Sequence, residues 1–141
     1  MKVLSIKQPW LYCIIELDKR IENRSWAPPE RMIGERIALH ASLKIDKQRT
    51  QMAHSLAKAE IPPDLPRGVI VATAVLLGVV SDFCVIGDIP TSYSLKDDRW
   101  FFGKFGWYLG KIIKLSNPIP ARGYLGLWNL PNELQKKINH F

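Results

Sequence analysis

The sequence predicts an α+β domain, a small mixed β-barrel of about five to six strands with two to three helices, and three observations carry that reading. Short runs of strand character recur from residue 3 to residue 130. Two stretches of helical period are inserted among them, and the regular strand and helix alternation of a parallel sheet is absent. The chain of 141 residues matches one domain, 1–141, because domains cluster at roughly 100 to 150 residues.

Val3 to Lys7 alternates apolar and polar residues and stops at Gln8-Pro9-Trp10, so it reads as a strand feeding a turn. Proline suits the first turn of a helix, where its missing N–H costs nothing. Trp10, Cys13, Ile14 and Leu17 then recur at helical spacing and predict a helix from about 9 to 17. KRIENRSW, residues 19–26, reads as a strand ended by Ala27-Pro28-Pro29. In ERIALHAS, residues 35–42, Ile37 and Leu39 share one strand face while Arg36, Ala38, His40 and Ser42 share the other.

Asp46 is a candidate cap for a helix running to about Ala59, with Met52, Ala53, Leu56 and Ala59 on one face and Pro62-Pro63 closing it. GVIVATAVLLGVV, residues 68–80, is β-branched and apolar almost throughout, which predicts a central strand buried on both faces and bending at Gly78. Residues 83–104 lack a sustained period and read as loop with one turn of helix. Phe105 to Leu115 resumes strand character, Asn117 to Pro120 reads as an extended connector, and Gly126 to Leu130 as a last short strand before a polar helix from Asn132.

Composition narrows the function classes. The formal charge of +7 leaves two readings, a polyanionic partner such as nucleic acid or a surface that is basic for solubility alone. Cys13 and Cys84, with His40, His54 and His140, are scattered, so neither a disulfide framework nor a metal site is expected, and no cofactor is implied. The N-terminus lacks the apolar segment of a signal peptide, and the longest apolar run is shorter than the ~18 to 20 residues that span a bilayer. A cytoplasmic protein with no membrane partner is the expectation. P-loop, dinucleotide-fold, nucleophile-elbow and zinc-protease motifs are absent.

The charged strand raises the sharper question. By alternation Arg20, Glu22, Arg24 and Trp26 face one way and Lys19, Ile21, Asn23 and Ser25 the other. Taken alone, a glutamate between two arginines on an exposed strand contributes about 0 to 1 kcal/mol and needs no function. Ser5 and Lys7 on the first strand and Arg36, His40 and Ser42 on the third supply further polar faces, and three such faces predict a shared polar cavity. Arginine suits bidentate recognition of phosphate or a base edge, and Trp10, Trp26 and Trp107 are candidates for stacking on an unpaired base. His40 reads more readily as a hydrogen-bonded structural histidine than as a catalyst.

LSIKQPW at 4–10, KRIENRSW at 19–26, GERIALHAS at 34–42, GVIVATAVL at 68–76, FGWYL at 105–109 and PARGYLGLWNL at 120–130 together resemble the ASCH domain family (activating signal cointegrator homology). The resemblance implies a β-barrel like that of the RNA-binding PUA domains. It also implies a cleft lined by Lys7, Gln8, Trp10, Glu22, Arg24 and Trp26. The function implied is binding of RNA or a modified nucleoside. One branch of the family hydrolyses the acetyl amide of 4-acetylcytidine with a lysine-activated threonine and a glutamate. The lysine matches Lys19, but Glu22 occupies the threonine position and Val75 the glutamate position. Ribonuclease activity is also associated with family members. The enzyme alternative is therefore a hydrolase, on an acylated nucleoside or on RNA, with Lys19 and Glu22 as the catalytic candidates.

Overall fold

The computed structural model describes residues 1–138, and His140 lies outside them. Seven strands form one sheet: β1 (Lys2–Gln8), β2 (Ile21–Arg24), β3 (Arg36–Ile45), β4 (Val69–Val80), β5 (Val85–Gly87), β6 (Phe105–Pro120) and β7 (Leu127–Asn129). Three helices accompany them: α1 (Trp10–Glu16), α2 (Thr50–Ala57) and α3 (Asn132–Gln135). Single 3-10 turns lie at Glu30–Met32 and Leu95–Asp97.

The strand order is β2-β6-β4-β3-β1-β7, with β5 added against β4. β1 and β3 are parallel and the other pairings antiparallel. This ladder is open: β2 and β7 end the path, so the mixed α+β sheet is established while closure into a barrel is not seen. Seven strands exceed the five to six expected because the three-residue β5 is too short to leave a sequence period.

The β-branched run becomes β4, hydrogen-bonded to β3, β5 and β6. A register irregularity between Ile70 and Ala72 divides its buried residues between two cores. Ala72, Ala74 and Leu76 join Leu4, Ile6, Ile37 and Leu39 beneath α1, while Ile70 joins Val3, Ala38, Ile119 and Trp128 on the other side. Val69, Val71, Val75 and Leu77 are half-buried, so the expected burial on both faces is met only in part. Gly78 sits where β5 docks, and a Cβ there would collide with the Ile86 carbonyl.

Asn117 to Pro120, expected as a connector, instead belongs to the 16-residue β6. The register irregularity between Ile70 and Ala72 leaves residues 115–118 of β6 out of the ladder, Pro118 among them, which has no N–H to give it. α2 begins at Thr50, later than expected, and buries Ala53 and Ala57 while Met52 and Ala59 are exposed. Among the described residues, no helix is long and apolar enough to cross a membrane.

Candidate functional site

The site begins with the end of α1. Asp18 adopts a left-handed backbone, φ 61°, a conformation that commonly ends helices and that aspartate tolerates better than most residues. The Leu17 and Lys19 amides both donate to the Cys13 carbonyl. This turn swings Lys19 inward, before β2 begins at Ile21, so the period-two alternation does not reach it. Lys19 therefore lies with Glu22, not opposite it. Its Nζ is 3.6 Å from Glu22 Oε1, donates to the Ile21 carbonyl, and sits 5.5 Å from the centre of the Trp10 ring. Lys19 is 1% exposed, and burial pushes its pKa below the usual lysine value, partly opposed by the Glu22 carboxylate.

Glu22 is the hinge of a charged chain. Its other oxygen, Oε2, accepts from Arg24 Nη2 at 2.9 Å, and that same nitrogen donates to the Ser5 carbonyl at 2.7 Å, tying β2 to β1. Arg24 Nε is buried without an acceptor. Leaving a buried donor so costs about 1 to 3 kcal/mol, the kind of local cost that functional sites carry.

Around this chain lies a cavity of about 490 Å³. Its walls include Ser5, Lys7, Trp10, Lys19, Glu22, Arg24, His40 and Ser42, so most of the candidates named from the sequence meet there. Gln8 and Trp26 are not among its lining residues. The Gln8 amide is buried, donating to the Pro66 carbonyl and accepting from the Tyr12 amide. β2 stops at Arg24, so Trp26 falls outside the strand. It packs edge-on against Trp107 at 4.8 Å while its carbonyl accepts from the Trp107 indole. Trp107 itself is fully buried in the core. Arg36, expected on the same face as His40, instead donates to Thr73 and the Lys111 carbonyl, and Arg36 is not among the cavity residues.

His40 is held at both ring nitrogens. Nε2 lies 2.8 Å from the Ala121 carbonyl, which only accepts, so Nε2 carries the proton. Nδ1 then accepts from the Ser5 hydroxyl at 2.9 Å, and the hydroxyl oxygen accepts from the Trp128 indole at 3.0 Å. Burial lowers the His40 pKa, partly opposed by its bond to the Ala121 carbonyl. Its neutral ring anchors the segment at 121–126 over the cavity. A Cβ on Gly123 would lie 2.6 Å from His40 Cε1, so only glycine permits that approach.

Sequence reasoning missed the far wall. Asp46, Arg49, Phe102 and Tyr124 also line the cavity. Asp46 accepts from the Trp10 indole at 2.9 Å, Phe102 packs on Trp10 at 5.2 Å between centroids, and Arg49 lies 5.3 Å over Phe102. The isolated aromatic pair at 101–102 was the one sequence signal of this wall. Val75 is half-buried on β4, opposite Arg36 and Gly110 and away from the cavity residues. Among the described residues, no group of three or more His, Cys, Asp or Glu is placed to hold a metal.

No family model and no curated protein matches the sequence. A solved structure described as ASCH from Zymomonas mobilis is similar to it in fold, with a TM-score of 0.55 and 16% identity, over 97% of this chain and 92% of that one. The sequence marks at 4–10 and 19–26 and this shared architecture lead to one conclusion: the chain has an ASCH-like fold.

Proposed function

We propose that the cavity binds a single unpaired nucleoside unit of RNA, or a modified nucleoside. The observation that carries this is the Glu22–Arg24 pair at the cavity wall beside Trp10. Arg24 Nη2 spends its two N–H groups on Glu22 Oε2 and the Ser5 carbonyl, which leaves the Nη1 N–H groups as donors beside the second lone pairs of the Glu22 carboxylate as acceptors, the complement of a base edge that alternates donor and acceptor. Half-buried Phe102 and exposed Tyr124 supply aromatic faces, with the buried Trp10 ring packed behind Phe102, and stacking contributes about 1 to 3 kcal/mol per base. The volume of about 490 Å³ suits a splayed-out base and its sugar and excludes a duplex. Lys7, Lys44 and Arg49 at the wall favour an anionic ligand.

Equilibrium titration with single-stranded RNA tests this. Arg24→Ala is expected to weaken binding at least tenfold, while Lys7→Ala, at an exposed side chain, weakens it less and leaves the thermal midpoint unchanged. Wild-type affinity in both variants contradicts the reading.

The low-pKa amine of Lys19 beside Glu22 favours a second reading, hydrolysis of an acylated nucleoside or of RNA, with Glu22 as general base on water. Product release from 4-acetylcytidine or labelled RNA, lost in both Glu22→Ala and Lys19→Ala, is its signature. A wild-type protein inert on both substrates removes it.

A further inference from the structure

Beside the cavity a second concavity, of about 570 Å³, opens where β1 ends and the chain leaves β3. The two share Lys7, Leu43, Lys44 and Asp46, so they form one continuous surface. Lys7, Lys44, Lys47 and Arg67 converge on this groove, against Asp46 as its single carboxylate. All four cations are exposed, and none makes an ion pair among the described residues. Asp46 is turned to internal work: Oδ2 accepts from the Trp10 indole and Oδ1 from the Arg49 amide. Arg67 donates to the Leu43 carbonyl at 2.8 Å, which fixes its guanidinium at the groove edge.

A solvated basic face spreads its charges, because like charges repel. Four cations gathered in one concavity carry that repulsion until an anion relieves it. The surface continues from a cavity sized for one base, so the anion that fits is the chain attached to that base.

We infer that this groove takes the phosphates of nucleotides flanking the base held in the cavity, so the ligand is a single-stranded oligonucleotide and not a free nucleoside. The inference rests on the nucleoside-binding reading above and specifies its substrate class. Lys47 and Arg67 line the groove and not the cavity, so they separate the two ideas.

The test is calorimetric titration of the full chain with a nucleoside monophosphate and with single-stranded RNAs of two, four and eight nucleotides, at 50 and 200 mM salt. Affinity is expected to rise at least tenfold from monomer to tetramer. With three phosphates neutralised, the single-strand salt slope of about −0.7 per phosphate corresponds to a loss of roughly 20-fold between the two salt concentrations. The double variant Lys47→Glu, Arg67→Glu is expected to weaken octamer binding at least tenfold and to flatten the slope by about 1.4, leaving monomer affinity intact. If the monomer binds as tightly as the octamer, or the double variant keeps wild-type octamer affinity, the groove proposal falls and the cavity reading stands. If duplex RNA binds as tightly as the single strand, the groove proposal also falls. If neither monomer nor RNA binds, both fall together.

Discussion

Lys19 shows how one backbone angle redirects a site. Strand alternation places it opposite Glu22, yet the left-handed turn at Asp18 brings the two within 3.6 Å. The pattern at 19–26 announces charge, but only the helix end decides on which side that charge lies, and a left-handed aspartate leaves no periodic mark. The buried amine has a consequence for stability. Its folded pKa lies below the unfolded value near 10.5, so the unfolded chain binds more protons between the two values. Stability tied to Lys19 is therefore lowest below that window and rises with pH through it. Lys19→Met, which keeps the bulk and removes the proton, is expected to flatten the rise in thermal midpoint between neutral pH and pH 10. A rise of equal size in both proteins would contradict that assignment. Glu22→Gln removes the countercharge and is expected to cost about 3 kcal/mol, read by denaturant unfolding, because it leaves a buried cation without its closest carboxylate.

Among the elements, those with a sustained period were legible and those set by distant contacts were not. α1 emerged within a residue of its expected start because Trp10, Cys13 and Ile14 mark a buried stripe. β4 was legible because an unbroken β-branched, apolar run suits a central strand paired on both edges. β2 proved shorter than its charged stretch: after Arg24 the chain leaves the pairing with β6, and Trp26 goes with it. β5 is held by three pairings to β4, which no local pattern encodes. The segment at 121–126 carries no period, and although it falls within one of the family marks its place at the cavity wall was not legible in sequence. Gly123 is packed against His40 and Ser5, so Gly123→Val is expected to lift this segment from the cavity wall and to lower ligand affinity by at least fivefold. A modest change in thermal midpoint should accompany it, since both sheet cores remain intact. Unchanged affinity would show that the segment contributes nothing to the cavity.

At the scale of the whole molecule, the cavity draws on β1, α1, β2, the end of β3, and the segments near 102 and 123–126. Residues separated by about 80 positions meet there, as when Asn23 accepts from the Phe102 and Gly103 amides. The near wall, Lys7, Trp10, Glu22 and Arg24, could be found in sequence because its residues fall on adjacent short elements with polar faces. The far wall, Asp46, Arg49 and Phe102, depends on how the open sheet folds those segments over α1, and each residue alone reads as a cap, a surface cation or a core aromatic. The excess of cations, +7 overall, acquires a location in the groove through Lys44, Lys47 and Arg67. The most direct measurement of the central claim is titration of ¹⁵N-labelled protein with single-stranded RNA, followed by amide and indole resonances. Binding in the cavity predicts that the Trp10 indole and the backbone amides of Asn23, Arg24 and Gly123 shift together and saturate together, while Val85 to Gly87 on the far edge strand stay fixed. Shifts confined to residues outside the cavity and its groove, or no shifts at all, would contradict it.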